Sequence, residues 1–526
     1  MSRRAALLVL ALAVLAAALP AAAQAFREGV ANGDVSSTSA IIWTRADKSG
    51  AVRFEVARDK RFRRLVRNGR VRARKSADNT VQVNVRRLKP ATRYFYRFVR
   101  GKDRSAVGTF KTAPKTSANR TIRFAWTGDA DATPRPGQSK PFWNNGQIYA
   151  RMAKERNDFN INIGDTIYSD SEVPGITQNA KTVAQKWAKY RLILVERNVR
   201  RFRGAAALYS HWDDHEFMND FSPEESVFTA SNGETVNIPG RTLYKAGSMA
   251  FRDYQPVHYS SSLGIYGSFR WGRNLEIFLL DERSFRSAKA SANHTCDNPQ
   301  TGQPDLAPTA PPDKRALFSA VVPSLAAPVS PACLAAINDP NRTMLGQRQL
   351  AQFESAIKAS KATFKVVMTE MEAKQYYANP YDRWEGYEAE RQKLLTFLRD
   401  NVKNVVLLAT DVHATLAVDA RLKTFEQGGP VDSGILEVST GPAATENFAG
   451  EINKATGGNN AQLLHDVFLK PAPPNGVGMQ CAAINAFSYG EVTVTSKKLT
   501  IAPKDIHGRA LKDGSSPCGP FVLTKK

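Results

Sequence analysis

Cysteine is scarce in this chain: four residues in 526, at positions 296, 333, 481 and 518. No two are close enough for a CxxC pair, which excludes the zinc and dithiol motifs built on that spacing. An even count suits two disulfides, with Cys296–Cys333 and Cys481–Cys518 the simplest of the three connectivities. Acidic residues are also short, 49 against 73 lysines and arginines, giving a formal charge of +24. Much of the excess is local, since residues 53–75 hold eleven Lys or Arg against Glu55 and Asp59. Such a field attracts anionic substrates, anionic polymers or nucleic acid, or is simply a solvated face. Only Phe54 and Phe62 accompany the run. That is too little aromatic interleaving for a nucleic-acid groove, so no specific nucleic-acid partner is expected. Past residue 25 no apolar run approaches the roughly 20 residues of a membrane span, so no transmembrane segment is expected there.

What is present is ordinary globular material. Hydrophobic residues make up 42% of the chain and aromatics 9%, enough for two or three packed domains. The first 25 residues stand apart. Arg3 and Arg4 precede the apolar run Ala5–Leu19, and Ala23-Gln24-Ala25 offers small residues before a cut. This reads as a signal peptide, too short for an anchor with a stop-transfer flank, and it implies export to a periplasmic or extracellular space. Ser2-Arg3-Arg4 matches part of a twin-arginine signal.

From residue 26 to 114 the pattern is all-β. Ala40–Thr44, Val52–Val56, Val81–Val85 and Tyr94–Phe98 alternate at sandwich-like spacing. Leu88–Tyr94 resembles the tyrosine-corner stretch of fibronectin type III domains. From residue 120 to the end, strands alternate with helices, predicting a layered α/β domain. Strands are expected at Ile122–Trp126, Phe159–Ile163, Ala205–Ser210, Leu275–Leu280, Phe364–Met368, Val405–Ala409 and Glu491–Thr500. Helices are expected at Gly146–Glu155, Thr182–Arg200 and Tyr387–Asn401. Residues 287–341, rich in Pro, Ala and Ser, read as an irregular insertion near the site entrance.

Chemistry collects where four of these strands end. One loop carries Asp129 and Asp131; the next carries Asp165 and Tyr168 behind Gly164. A third carries Asp213, Asp214 and His215, and the last Asp411 and His413. Carboxylates, a phenol and imidazoles on one rim suit hard or borderline cations. Two cations roughly 3.5–4 Å apart require a bridging ligand, and a bound hydroxide then attacks phosphorus in line. Asp165 suits the bridge, Tyr168 suits a strongly Lewis-acidic ion such as Fe³⁺, and His215 suits a phosphoryl stabiliser or proton donor. Each residue alone has a plainer reading: Asp165 as a turn or helix cap, Tyr168 as a half-buried tyrosine, His413 as a satisfied polar histidine. The remaining histidines, 211, 258, 294, 465 and 507, lack such a context.

The segments Phe26–Asp34 with Ile42–Arg45, Gly164–Tyr168, Trp212–Asp220, Leu280–Arg286, Trp384–Tyr387 and Thr410–His413 occur in an order that resembles the PhoD-like alkaline phosphatases. These are calcineurin-like metallophosphatases akin to purple acid phosphatases. The resemblance implies a fibronectin-like N-terminal domain, an αββα catalytic sandwich and a hydroxide-bridged centre that hydrolyses phosphate mono- or diesters. By position it implies that Asp129, Asp165, Tyr168 and His413 hold an Fe³⁺-like ion. Asp165, Asp214 and Asp411 hold a second ion, Ca²⁺ in better-understood relatives, and His215 and Asp165 are the catalytic pair.

Two departures stand out. Where Fe³⁺/Ca²⁺ members carry cysteine in a Ser-Cys-Gln segment, this chain has Gly128-Asp129-Ala130, which leaves Zn, Mn and Mg open as metals. A Pro-Val-Arg segment expected in the family reads Pro256-Val257-His258, so His258 is a candidate substitute for an anion-binding arginine. Arg283 and Arg286 remain available, as substrate contacts or as stems packed on the sheet. The expectation is an exported metal-dependent phosphoesterase. Its substrate is a phosphoester, with an anionic polymer or lipid in a phospholipase D-like alternative. A secreted polymer-binding protein with structural metals is the alternative from another class.

Overall fold

The computed structural model describes residues 24–526. The expected leader, residues 1–25, lies outside them except for its last two. No helix among the described residues is long and apolar enough to cross a membrane.

The all-β stretch forms two small sheets. Val30–Gly33, Ala40–Arg45 and Thr80–Val85 make one; Leu65–Ala73, Gly50–Ala57, Arg93–Arg100 and Asp103–Arg104 make the other, with Gly108–Lys111 paired to Arg93–Arg100. The tyrosine corner closes as expected, with Lys89 N donating to Tyr94 Oη at 2.8 Å. Leu65–Ala73 escapes a periodicity search because it lies at the sheet edge and carries Arg67, Arg70 and Arg72 in place of apolar residues. A charged edge of this kind blocks pairing with another chain.

Two larger mixed sheets follow. The first has the order Ala207–His211, Phe159–Ile163, Ile122–Thr127, Ser488–Val494, Lys498–Asp505 and Phe521–Thr524. The second runs Gly267–Trp271, Leu275–Leu279, Phe364–Met368, Val405–Ala409, Leu436–Ser439, Thr415–Asp419 and Cys481–Ala483. Side chains alternate across each strand. Phe124, Trp126 and Ile161 share a buried cluster with Ile277, Val366 and Leu408 of the other sheet. Their neighbours face outward: Ala125 and Leu208 pack with the helical residues Tyr190 and Phe251, and Val367 and Leu407 with Phe353 and Leu394. Burial on both faces explains why these strands read as continuous apolar runs.

Three elements differ from expectation. The single helix over 182–200 is two, Val183–Ile193 and Arg197–Ala205, because the chain turns at Glu196 and the second helix buries Val199 and Phe202. The strand over 491–500 is a hairpin, Ser488–Val494 and Lys498–Asp505. It reverses at Thr495, whose Oγ1 accepts from Lys497 N at 3.2 Å and Lys498 N at 3.1 Å. The 287–341 insertion holds short helices at Pro312–Ser319 and Pro331–Ile337. Both disulfides form, Cys296–Cys333 and Cys481–Cys518.

Candidate metal centre

Ile122–Thr127, Phe159–Ile163 and Ala207–His211 are parallel neighbours, so their C-terminal ends share one rim. Val405–Ala409 reaches the same rim from the other sheet. Two bonds stitch the sheets there: Thr410 Oγ1 donates to the Ile163 carbonyl at 3.2 Å, and Trp126 Nε1 to the Ala409 carbonyl at 3.1 Å. Each strand then breaks sharply. Asp129, Asp165, Asp411 and His413 all adopt left-handed backbone, with φ of 61°, 47°, 64° and 54°. Asp and His tolerate this region better than most residues, and such strain concentrates at functional sites. Gly164 leaves no room for a side chain, since a Cβ there would sit 2.6 Å from Asp213 Cβ.

The breaks bring the acids together. Ligand atoms of Asp129, Asp165 and His413 lie within 4.8 Å of one another, as do those of Asp165, Asp214 and His215, and those of Asp213, Asp214 and Asp411. Asp165 belongs to two of these groups. Tyr168 Oη lies 3.0 Å from His413 Nε2, and its ring stacks on His215 with centroids 4.1 Å apart. Asp165, Asp214, His215, Asp411 and His413 line a cavity of about 310 Å³, with Arg383 and Lys454 also in its wall.

A donor set this dense wants positive charge. Both carboxylate oxygens of buried Asp129 lack a hydrogen-bond partner. Burial, reinforced by neighbouring acids, pushes the carboxyls of Asp165 and Asp411 well above the usual range. Burial does the same to Asp129, with His413 opposing it. Burial also disfavours imidazolium at His215, but Asp214, Asp165 and Asp170 outweigh it and hold that pKa well above its ordinary value. At His413, Glu451, Glu172 and Asp129 overcome the same burial and push the pKa up to about 10. The residues therefore fit a pair of cations: hard oxygen donors, orphaned, around a shared carboxylate.

A second layer of residues escaped sequence reasoning. Glu216 clamps two of the loops, its carboxylate accepting from Asp165 N at 3.1 Å, Thr166 N at 2.7 Å and Asp213 N at 2.8 Å. Asp170 sits 2.9 Å from His215 Nδ1 and also accepts from Asn219 N and Ser231 N. Asp382 pairs with Arg283 Nη2 at 2.8 Å. Glu451 lies 2.6 Å from His413 Nδ1, close but out of line for a hydrogen bond. Asp170 lies two residues past Gly164–Tyr168 and Glu216 lies inside Trp212–Asp220, and that proximity is the available signal. Asp382 likewise lies two residues before Trp384–Tyr387, on an irregular loop.

Two residues expected to contact substrate are placed elsewhere. Arg283 is wholly buried and braces the centre from behind, with Nε 2.5 Å from Asp213 Oδ1. Enclosure among acids, not an open anion site, is what its position offers. Arg286 is likewise buried, on Asp382 and Tyr387. His258 is absent from the cavity wall; its Nδ1 lies 2.8 Å from Asp34 of the N-terminal region. Asp131 closes its own loop through Thr133 N and Ser171 Oγ.

A mixed α/β fold whose strand ends converge on buried carboxylates sharing one aspartate is that of a candidate dinuclear metalloprotein. The model of the PhoD-like phosphatase family matches residues 137–502, and that of its N-terminal domain residues 13–114. The chain belongs to the PhoD-like phosphatase family. Asp129 lies between the two matched spans. Alkaline phosphatase D of Bacillus subtilis (strain 168) is 27% identical over 435 residues, covering 74% of this chain and 65% of that protein. The solved structure of PhoD superposes with a TM-score of 0.71 at 22% identity, covering 95% of this chain and 89% of the other. Purple acid phosphatase PPD1 from yellow lupin (Lupinus luteus) seeds gives 0.53 at 10% identity, covering 94% and 73%. These structures share the fold.

Proposed function

We propose that this chain is an exported, metal-dependent phosphoester hydrolase of the alkaline phosphatase and phosphodiesterase kind. It comprises a fibronectin-like domain over residues 26–114 and an αββα catalytic domain over 120–526. The observation that carries the reading is Asp165, common to two buried ligand groups, with His215 alongside. Asp129, Asp165, Tyr168 and His413 would hold one cation; Asp165, Asp214 and Asp411 would hold the other. When bound, such a pair supplies Lewis acidity and an activated water for attack on phosphorus. An Fe³⁺ with Ca²⁺ suits the phenol and the oxygen-rich side, and Asp129 equally admits Zn, Mn or Mg.

The protein's own groups do the rest. Asp170 occupies His215 Nδ1, so a proton delivered into the cavity is carried on Nε2. Asp170 holds the ring so that Nε2 can pass its proton to a leaving oxygen. Glu216 fixes the loops of Asp165 and Asp213 through backbone amides, and Arg283 offsets the charge of Asp213 and Asp382.

Metal analysis of protein purified without chelator is expected to find about two cations per chain. Hydrolysis of 4-nitrophenyl phosphate, its bis-ester and phosphatidylcholine then ranks monoester, diester and lipid. The Asp165→Asn variant is expected to lose about 1,000-fold or more in kcat/KM while melting as the parent does. Full activity in D165N, or in a metal-free preparation, would sink the proposal.

A further inference from the structure

Beside the acidic cavity runs a second one of about 200 Å³, and its character is the reverse. Leu306, Phe318 and Leu325 of the insertion form one wall, Tyr376 a second, and Phe448 and Phe468 a third. Asn379, Arg383, Phe448 and Glu451 line both cavities. Apart from Thr456 and Tyr376, the polar lining residues of the apolar cleft are confined to that junction. There the Arg383 guanidinium lies over the Tyr376 ring, 4.6 Å from its centroid, where charged lining gives way to apolar.

The apolar wall is built rather than left over. Cys296–Cys333 closes the insertion, and Arg315 braces it from inside: Nη2 lies 2.6 Å from Asp305 Oδ2, and Nη1 and Nη2 donate to the Ala307 and Ala327 carbonyls at 2.8 Å each. Water gains little from a lining of this kind, whereas an apolar group entering it leaves water at a gain of roughly 25 cal/mol per Å² buried. An apolar cavity of about 150 Å³ accepts one benzene ring. The space here suits one ring or a short alkyl chain.

Resting on the phosphoesterase reading above, we infer that the apolar cleft is the subsite for an apolar substituent of the phosphoester. The substrate class is therefore amphiphilic: a phosphate at the acidic cavity carrying an alkyl or aryl group that crosses the Arg383 junction into the cleft. The insertion sets specificity, and its fold is part of the binding site.

Alkylphosphonates test this directly, because their C–P bond is not hydrolysed. Methyl-, butyl-, hexyl- and phenylphosphonate are used as competitive inhibitors of 4-nitrophenyl ester hydrolysis by the metal-loaded protein. Each buried CH₂ tightens binding by up to about fourfold, less the ordering of the chain. Ki is expected to fall about 30-fold or more from methyl to hexyl. Tighter binding of hexyl than phenyl assigns an alkyl group, and the reverse assigns a ring. Phe468→Ala and the milder Ile452→Gln, on the half-buried flank of the cleft, should flatten the series. Methylphosphonate, which does not reach the cleft, should inhibit both variants as it does the parent, which shows that they are folded. Ki values equal within about twofold across the series, with normal ester turnover, would overturn the inference. Absence of turnover for every ester would instead overturn the phosphoesterase reading, and this one with it.

Discussion

Arginine appears in two opposite settings in this protein. On the N-terminal domain, Arg70 and Arg72 stand exposed along the edge strand Leu65–Ala73. Behind the strand-end loops, Arg283 is fully buried among Asp213, Asp214, Asp382 and Asp411, at 2.5 to 3.7 Å. The first group sets the field that a distant anion feels, screened within about 10 Å at ordinary salt. The second holds a cluster of acids together that would otherwise repel. Charge count alone does not distinguish them; burial does.

The contrast breaks most visibly at the buried end. Arg283→Met should destabilise the fold by about 3–5 kcal/mol in denaturant melts, because Asp213 is left buried without a partner and Asp382 keeps only Arg286. A melt unchanged from the parent would show that the acids relax without it. His215→Asn should lower kcat/KM by about 100- to 10,000-fold, with little change in stability. Asp170→Asn acts through His215 and should lower kcat/KM by about 10- to 100-fold while moving the alkaline limb of the pH–rate profile to lower pH. An unmoved profile would reduce Asp170 to packing.

The exposed end should respond weakly. The Asp34 hydrogen bond, opposed by burial, raises the His258 pKa. A raised folded-state pKa stabilises fully below the unfolded value of about 6.5 and is lost as pH rises through the folded one. His258→Gln should therefore melt slightly earlier than the parent at about pH 5.5 and together with it at about pH 9. Arg70→Glu with Arg72→Glu should change stability by less than about 0.5 kcal/mol. The same pair should slow hydrolysis of an anionic polymeric ester at low salt, a difference that vanishes at about 1 M salt.

The strands that position the centre were legible because both their faces are buried, as in Phe159–Ile163 and Val405–Ala409. The loops behind them were legible because Gly164-Asp165 and Asp411-Val412-His413 put ligand types at strand ends. Leu65–Ala73 was not, since an edge strand of arginines carries no apolar alternation. Glu216, Asp170 and Asp382 hold the centre through distances that exist only once separate loops meet. A lone acid in a loop looks the same whether it braces a neighbour or faces solvent. The turn at Glu196 is hidden because helical composition continues across it, and the one at Thr495 because it rests on a single threonine side chain accepting from Lys497 N and Lys498 N.

The left-handed backbone at Asp129 ties its donor atoms to the shape of their turn. Aspartate occupies that conformation readily, and a thiol-bearing side chain does so less often. Replacing Asp129 by cysteine would thus act on the loop's shape as well as its donor atom. Gly128, whose Cβ would lie 1.9 Å from the Ile163 carbonyl, leaves that loop little room to move. A single-residue swap at 129 would carry a new donor into the existing turn.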